Sequence, residues 1–530
     1  MKKHTNGRVF YEQCACDGGA VWCVDPDRNG SLVGEKTRRE NIRIFGECYT
    51  EMKEIIKTFR TIFRTTLMIM TVTQVMNTAT AFSQFKNAKQ ADSAASHQII
   101  RAPGTDSLLL NPSSRGKYWI AAVEAVGSDL VMWSYFRYIR QDTWARIDIH
   151  SIKNNLRTGF WWDEDGFMGN QFNHPYHGSS YYNAARVNGL SFWESAHYTL
   201  GGSAIWDLFL ETEQPSYTDI VNTPISGIIF GEISFRITDL ILDDSKRGVD
   251  RILRESSAFI LNPMRGFNRL IRGEMWQRGP STPSPDYKMW LSIGGNNVFR
   301  HRTLTKNHGY ALLRFDMDYG DLLAASRHND PFDYFNVHAE LSVSKNDRII
   351  GIMASGVLWD KGMALLGTSN VLGVYKEFDL LNNLVYHLTA TSVTSSLTNV
   401  ITLSPATTLQ NTLSISGVIM GGVNSQHAEM YGKKYNVGPG ASAKVSSLLK
   451  ISDYGTIYLN YKRYWLHTLN GADSEEFIGL LNLGTNYEIT STTILGFDFL
   501  LYERYGDYKH LPNIKEANSA GRLYVKFVLG

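Results

Sequence analysis

The 530-residue sequence contains no cysteine after position 48, and its charges nearly cancel. Its four cysteines are Cys14, Cys16, Cys23 and Cys48. A Cys-x-Cys pair followed by two scattered thiols does not have the spacing of a four-ligand zinc site. The formal net charge of +2 excludes the basic footprint of a nucleic-acid-binding protein. We therefore predict no metal site, no cofactor, no disulfide framework in the main part of the chain and no nucleic-acid partner.

No apolar run near the start of the chain is long enough to cross a bilayer as a helix. From Met52 a segment with Lys and Arg is followed by the short apolar run 67–76 and then by Ala79-Thr-Ala. This order of basic, apolar and small residues is typical of a secretory signal peptide. We therefore predict a signal peptide over residues 52–83, translation from Met52, and a non-native upstream extension over residues 1–51. A soluble amphipathic helix is the alternative interpretation.

The composition changes twice before the middle of the chain. Residues 84–116 are polar, which predicts a flexible linker. Residues 117–280 predict a helical domain rich in polar and aromatic side chains. Within it, Ser216 is expected to N-cap a long helix. The small residues Gly227 and Gly231 would let a second helix approach that helix closely.

Beyond residue 280 the spacing of apolar residues changes from 3.6 to 2. Apolar and polar side chains alternate in clear runs around residues 313–319, 335–344, 442–451, 495–502 and 522–529. Each run is about ten residues long, which suits a tilted membrane strand. Segments such as Asn470–Asp473 and Tyr505–Asp507 are predicted to be turns between strands. Counting from Tyr287 gives roughly 12 strands, an even number as a closed antiparallel barrel requires.

These patterns predict an α+β protein. Its C-terminal part, residues 281–530, would form an antiparallel transmembrane β-barrel of about 12 strands, with the preceding helical domain packed in or under the barrel. A soluble β-sandwich or propeller also alternates and is the alternative fold. The signal peptide and the long, evenly alternating strands favour the membrane.

The densest polar and aromatic stretch runs from Phe160 to His197. It contains the motifs Trp162-Asp-Glu-Asp-Gly-Phe, Asn170-Gln-Phe-Asn-His-Pro-Tyr-His-Gly-Ser, Tyr182-Asn-Ala-Ala-Arg and Phe192-Trp-Glu-Ser. With Asn262-Pro-Met-Arg-Gly-Phe-Asn-Arg, these motifs resemble the bacterial family catalogued as domain of unknown function 3943. The resemblance covers the helical domain closely and the strands more loosely. It implies an envelope protein of bacteria with two membranes, and it implies no activity.

Four residues of this stretch are candidate catalytic groups: His174, His177, Glu194 and His197. Each pair is three residues apart and would share a helix face, although Pro175 favours a turn for the first pair. The alternative is a buried hydrogen-bonding network that fixes loop geometry. A serine hydrolase would need Ser179 or Ser195 beside a histidine and an acid such as Asp163, Asp165 or Asp219. Neither serine lies in a Gly-x-Ser-x-Gly motif.

A second set consists of candidate ligand-binding residues: Asp163, Asp165, Asn170, Arg186, Glu232, Arg236, Arg265 and Arg269. A guanidinium group is well shaped to bind phosphate on a phospholipid or a lipopolysaccharide. The alternative is that these arginines form ion pairs inside a partly buried domain. Both interpretations remain open at the level of sequence.

Three functions follow as hypotheses. The first is an outer-membrane barrel with a helical plug and a structural, binding or transport role, in contact with outer-membrane lipid. The second is an envelope enzyme that modifies a lipid or glycolipid with the histidine and glutamate residues above. The third is a soluble periplasmic β-domain. The sequence leaves open whether the protein is an enzyme.

Overall fold

The structure, a computed structural model, describes residues 15–17, 20–22, 118–281, 285–299, 308–345, 348–365, 368–427, 434–452 and 454–529. The chain forms two compact units, Met1–Ser96 and His97–Gly530. In the first unit, Ala15–Asp17 pairs antiparallel with Ala20–Trp22. The predicted signal peptide and linker lie outside the described residues and stay predictions.

The helical domain has seven α-helices in its described residues. They are α1 Tyr118–Ser134, α2 Ile149–Thr158, α3 His174–Arg186, α4 Phe192–Ile205, α5 Tyr217–Ile241, α6 Gly248–Leu261 and α7 Pro263–Ile271. Short π-helical segments extend α1 and α4 and precede α3. Ser216 caps α5 as predicted, since its hydroxyl accepts hydrogen bonds from the amides of Thr218 and Asp219. None of the described helices is long and apolar enough to cross a membrane by itself.

The contact between α3 and α5 depends on glycine. A Cβ atom on Gly227 would lie 2.8 Å from the Cα of Gly178, and one on Gly231 would lie 2.5 Å from the ring of Tyr182. No side chain fits at these distances, so the two backbones can touch only because these positions are glycine. The sequence prediction of a close helix approach at Gly227 and Gly231 is confirmed.

The second part of the same unit is a closed antiparallel barrel of twelve strands. The strands are β1 Tyr287–Phe299, β2 His308–Tyr319, β3 Phe335–Val343, β4 Arg348–Leu365, β5 Thr368–Asn382, β6 His387–Ser404, β7 Thr407–Asn424, β8 Tyr435–Ile451, β9 Gly455–His467, β10 Ser474–Thr490, β11 Thr493–Tyr508 and β12 Ile514–Val528. Pairing of β12 with β1 closes the barrel. Closure removes the free strand edges that lipid cannot satisfy. It also excludes the sandwich alternative.

One predicted turn is wrong: Tyr505–Asp507 lies inside β11.

Polar side chains point into the lumen of the barrel. Arg314 on β2 donates to Asp498 on β11 at 2.9 Å, although two strands lie between β2 and β11. Only side chains on the concave side can meet in this way. The other face is apolar and exposed, with Leu523 and Ile415 respectively 59% and 65% exposed. An apolar exterior around a polar interior is the pattern of a transmembrane barrel, so the alternation prediction is confirmed.

The helical domain packs against the outward face of this barrel. Phe378 on β5 precedes Asp379, whose carboxylate reaches Lys444 across the lumen, so the ring of Phe378 points outward. That ring meets the ring of Phe230 on α5 with centroids 4.8 Å apart. Thr391 on β6 pairs with Phe378 and therefore faces the same way, and its hydroxyl lies 2.6 Å from that of Ser226. The structure has the barrel and the preceding helical domain that the sequence predicts. These contacts correct the expected position, because they place α5 outside the wall and not in the lumen as a plug.

Candidate functional site

The two motifs that begin at Trp162 and Asn170 join the helical domain to the barrel. Asp163 is 8% exposed and accepts hydrogen bonds from the Asn170 amide and from the Ser216 hydroxyl. The same Asn170 nitrogen lies 2.7 Å from the hydroxyl of Tyr435 at the start of β8. Gln171, the next residue, accepts from the Thr389 hydroxyl on β6 at 2.7 Å. These two amides therefore connect the helical domain to two barrel strands.

His174 follows at the start of α3 among several carboxyl groups. Its ring nitrogens lie 3.7 Å from Asp219 and 3.8 Å from Asp165. Asp207 and Glu211 are also close enough to act on it electrostatically. The cluster is mostly buried, although the side chain of Asp165 is half exposed. Of the four candidate catalytic residues, this cluster contains only His174, and its other members are carboxyl groups.

His177 lies one turn further along α3 and has different partners. Its Nε2 is 3.5 Å from a carboxylate oxygen of Asp129, and its ring packs edge-on against Trp206. Asp129 also accepts from the hydroxyl of Tyr181. His177 is thus held in a buried aromatic and polar environment.

The other two catalytic candidates lie elsewhere. Glu194 completes a capping box with Ser191 at the start of α4 and accepts from the hydroxyl of Tyr118 at 2.6 Å. These donated hydrogen bonds lower the pKa of Glu194. His197 is bound through Nδ1 to the Trp193 carbonyl of its own helix. The fold therefore separates Glu194 and His197 from His174 and His177.

Neither of the two candidate serines has a hydrogen bond to a histidine among the described residues. The hydroxyl of Ser179 donates to the Tyr176 carbonyl of its own helix. Ser195 is buried, and its hydroxyl has no hydrogen-bond partner in the described part of the chain. Across the same residues, no group of three or more His, Cys, Asp or Glu side chains is placed to hold a metal ion.

The candidate arginines are all paired with carboxylates. Glu232, fully buried, lies between Arg186 and Arg236, with its oxygens 2.9 Å and 2.7 Å from their Nε atoms. Arg265 pairs with Asp239, and Arg269 pairs with Glu255 and Asp244. Arg236 also reaches Asp333 and the Pro331 carbonyl in the loop between β2 and β3. This pairing corresponds to the ion-pair alternative, and phosphate recognition stays a prediction.

The barrel lumen holds charged residues that sequence reasoning did not single out. Arg522 pairs with Glu340, and Lys444 pairs with Glu377 and Asp379. Each pair joins strands three places apart in the barrel order. The alternation had assigned Arg314, Glu340 and Arg522 to a polar face. It carried no information on which strands would meet across the lumen.

An apolar cluster and a cavity complete the lumen. Buried apolar side chains pack together inside the barrel, among them Val385, Tyr386, Leu388, Tyr464 and Leu500. Tyr386 comes from the short β5–β6 turn and points its hydroxyl at the Gly479 carbonyl on β10. A cavity of about 430 Å³ lies between this cluster and the ion pairs. Its lining includes Arg314, Glu340, Asn460, Asn482 and Tyr502.

Fold and site together define a transmembrane β-barrel of the outer-membrane type with a helical domain on its outward wall. Residues 159–264 match the model of the family described as domain of unknown function DUF3943. That match confirms the resemblance over most of the helical domain. The comparison with curated proteins gave no match.

Solved structures similar to this chain are barrels of the outer membrane. The NanC porin is 10% identical with a TM-score of 0.27, over 45% of this chain and 100% of that one. The outer membrane protein Omp33 of Acinetobacter baumannii is 11% identical with a TM-score of 0.21, over 46% and 99%. A mutant of the TodX monoaromatic hydrocarbon channel is 10% identical with a TM-score of 0.22, over 46% and 89%. At these values the similarity carries no inference about what this chain binds or conducts.

Proposed function

We propose that this protein is an outer-membrane barrel without an open channel, and that it binds a small, uncharged polar solute in its lumen. The observation that carries the proposal is the 430 Å³ cavity between the cross-lumen ion pairs and the apolar cluster. Its volume falls in the range of small-molecule sites. A lumen crossed by ion pairs at several levels leaves no wide path for diffusion.

The lining favours a ligand with hydroxyl groups over a charged ligand. Its charged members, such as Arg314 and Arg522, already have carboxylate partners across the lumen. Some buried atoms of the lining, including the Oδ1 of Asn482 and the Nε of Arg522, have no hydrogen-bond partner among the described residues. An unpaired buried acceptor is costly, and a ligand hydroxyl would satisfy it.

Two measurements test this function. In planar bilayers the intact protein should show no large, steady conductance. Glucose at 100 mM should raise the melting temperature in detergent, because ligand bound only to the folded state stabilises it. Gly351 lines the same cavity, and there is room for a Cβ atom at this position. The variant Gly351→Leu should therefore fold, fill part of the cavity and lose the increase in melting temperature caused by glucose. Porin-like conductance of the intact protein, or an unchanged shift in Gly351→Leu, would refute the proposal.

A second candidate function is a lipid- or glycolipid-modifying enzyme. It is favoured by one observation: His174 is held between Asp165 and Asp219 at one end of the helical domain. An imidazole between carboxylates is a usual general acid or base. His174→Ala should then change the lipid composition of the outer membrane, measured by mass spectrometry. His197→Ala is the matched control because the hydrogen bond described for the His197 ring goes to its own helix. Unchanged lipids in His174→Ala would exclude this function.

Outer-membrane localisation would follow from export through the signal peptide proposed over residues 52–83. The intact mass of protein purified from outer membranes should correspond to a chain that begins close to Phe82. A mass that includes residues 1–51 would contradict both the start at Met52 and the cleavage.

A further inference from the structure

The helical domain has a polar interior and an apolar exterior. Buried polar and charged side chains outnumber buried apolar ones between Tyr118 and Trp276. Large apolar side chains are exposed instead, and they cover several helices. Examples are Val123 and Val131 on α1, Leu200 on α4, Ile252 and Ile260 on α6, and Phe267 and Ile271 on α7. A water-soluble domain rarely exposes so many large apolar side chains.

The domain also lies where lipid is expected. Its α5 packs on the outward face of the barrel through Phe378 and Thr391. Elsewhere around the barrel that same face is exposed and apolar, as at Ile415 and Leu523. The apolar exterior of the helical domain therefore continues the lipid-facing surface of the barrel.

The length of α5 is sufficient to cross a bilayer, and its contacts with the barrel run from near one end of the barrel toward the other. Its 25 residues extend about 37 Å at 1.5 Å per residue, and the hydrocarbon core is about 30 Å thick. Its first half contacts β6 near the β5–β6 turn, and its second half reaches the β2–β3 loop through Arg236. These two connections lie at opposite ends of the barrel, because successive connections of an antiparallel barrel alternate between its ends.

Ionic and polar groups collect at the two ends of the domain. The start of α4, with Glu194, and the segment after α5, with Asp243, carry partly exposed carboxylates at one end. At the other end lie Asp165 and the polar helix α2, with Lys153 exposed. The helices need not be apolar on all sides, because their polar side chains face one another, as Glu232 and Arg186 do.

We propose that the apolar outer surface of the helical domain lies in the lipid beside the barrel and contacts acyl chains. The protein would then combine a lipid-facing helical bundle with a β-barrel in one membrane. This placement is independent of any ligand in the lumen.

Spin labels at single cysteines test the placement. The four native cysteines, all within the first 48 residues, are first changed to serine. The full chain in lipid nanodiscs is then labelled at Val131→Cys or Ile260→Cys, both 73% exposed, so neither substitution disturbs the core. Leu523→Cys on the barrel exterior is the lipid reference, and Lys153→Cys on α2 is the water reference.

The expected result concerns access of two relaxing agents. Oxygen concentrates in lipid, whereas a water-soluble nickel chelate does not. The labels at positions 131 and 260 should show an oxygen-to-nickel accessibility ratio like that at 523 and several-fold above that at 153. A ratio at 131 and 260 equal to that at 153 would overturn the proposal. So would low accessibility to both agents, because that result would mean that a second copy of the chain covers the surface.

Discussion

Removal of the Glu232 carboxylate should destabilise the helical domain strongly. Glu232 is fully buried and accepts hydrogen bonds from Arg186, Arg236 and the hydroxyl of Tyr182. In Glu232→Ala two guanidinium groups would stay buried without their shared counter-ion. Breaking a buried ion pair from one side costs about 3–5 kcal/mol.

The isosteric change Glu232→Gln separates charge from shape. The amide keeps one acceptor oxygen and the packing but loses the negative charge. We expect its cost to lie between that of Glu232→Ala and zero. In the double variant Glu232→Ala with Arg186→Met, one of the two unpaired cations is absent, so the loss should be smaller than in Glu232→Ala alone.

Hydrogen–deuterium exchange of peptides from α3 and α5 measures the local opening free energy. Asp250→Ala is the control, because its pair with Arg254 is solvent-exposed and such pairs contribute about 0–1 kcal/mol. If Glu232→Ala changes exchange no more than Asp250→Ala does, the buried triad does not hold the domain together. Equal losses in the single and double variants would show that the arginines are not coupled to Glu232.

Four further outcomes follow from the same geometry. Gly231→Val should separate α3 from α5 and expose the domain to limited proteolysis, whereas Gly127→Ala, which has open space around its Cβ, should stabilise α1 by up to about 1 kcal/mol. Asn170→Ala should weaken docking of the helical domain on the barrel by about 1–3 kcal/mol, seen as faster exchange in α3 with unchanged exchange in β8. Arg522→Met should raise the barrel's ion conductance in planar bilayers, because it removes one cross-lumen pair.

The barrel could be predicted well because its pattern is local. Alternation of Leu313 and Phe315 with Arg314 and Asp316 follows from the two-residue repeat of a strand. The same rule gave the start near Tyr287 and the strand number. It failed at Tyr505–Asp507, where a Gly-containing segment that resembles a turn continues β11. Glycine is required at position 506, because a Cβ atom there would lie 2.7 Å from the ring of Tyr508 and 3.0 Å from the carboxylate of Glu476.

The candidate site was harder to predict because its contacts are distant in sequence. Asn170 was recognised as a candidate, yet no local pattern indicates that it binds Tyr435, 265 residues away. Spacing of three residues grouped Glu194 with His197, but a capping box accounts for Glu194 without any ligand. Arg186 and Glu232 were both candidates, and ion pairing was one of two interpretations of the arginines, but no local pattern indicated which acid Arg186 would meet.

The expectation of a plug failed for a physical reason that also explains the helical sequence. A helix in a water-filled lumen would present polar groups outward, to the lumen wall. Here α5 turns Phe230 toward an outward barrel residue and Glu232 toward other helices. The polar residues of α5 were therefore consistent with a side that faces a lumen and misleading about the surroundings of the helix. What distinguishes the two locations is which side of each helix is apolar, and that became visible only when the partner of each side was known.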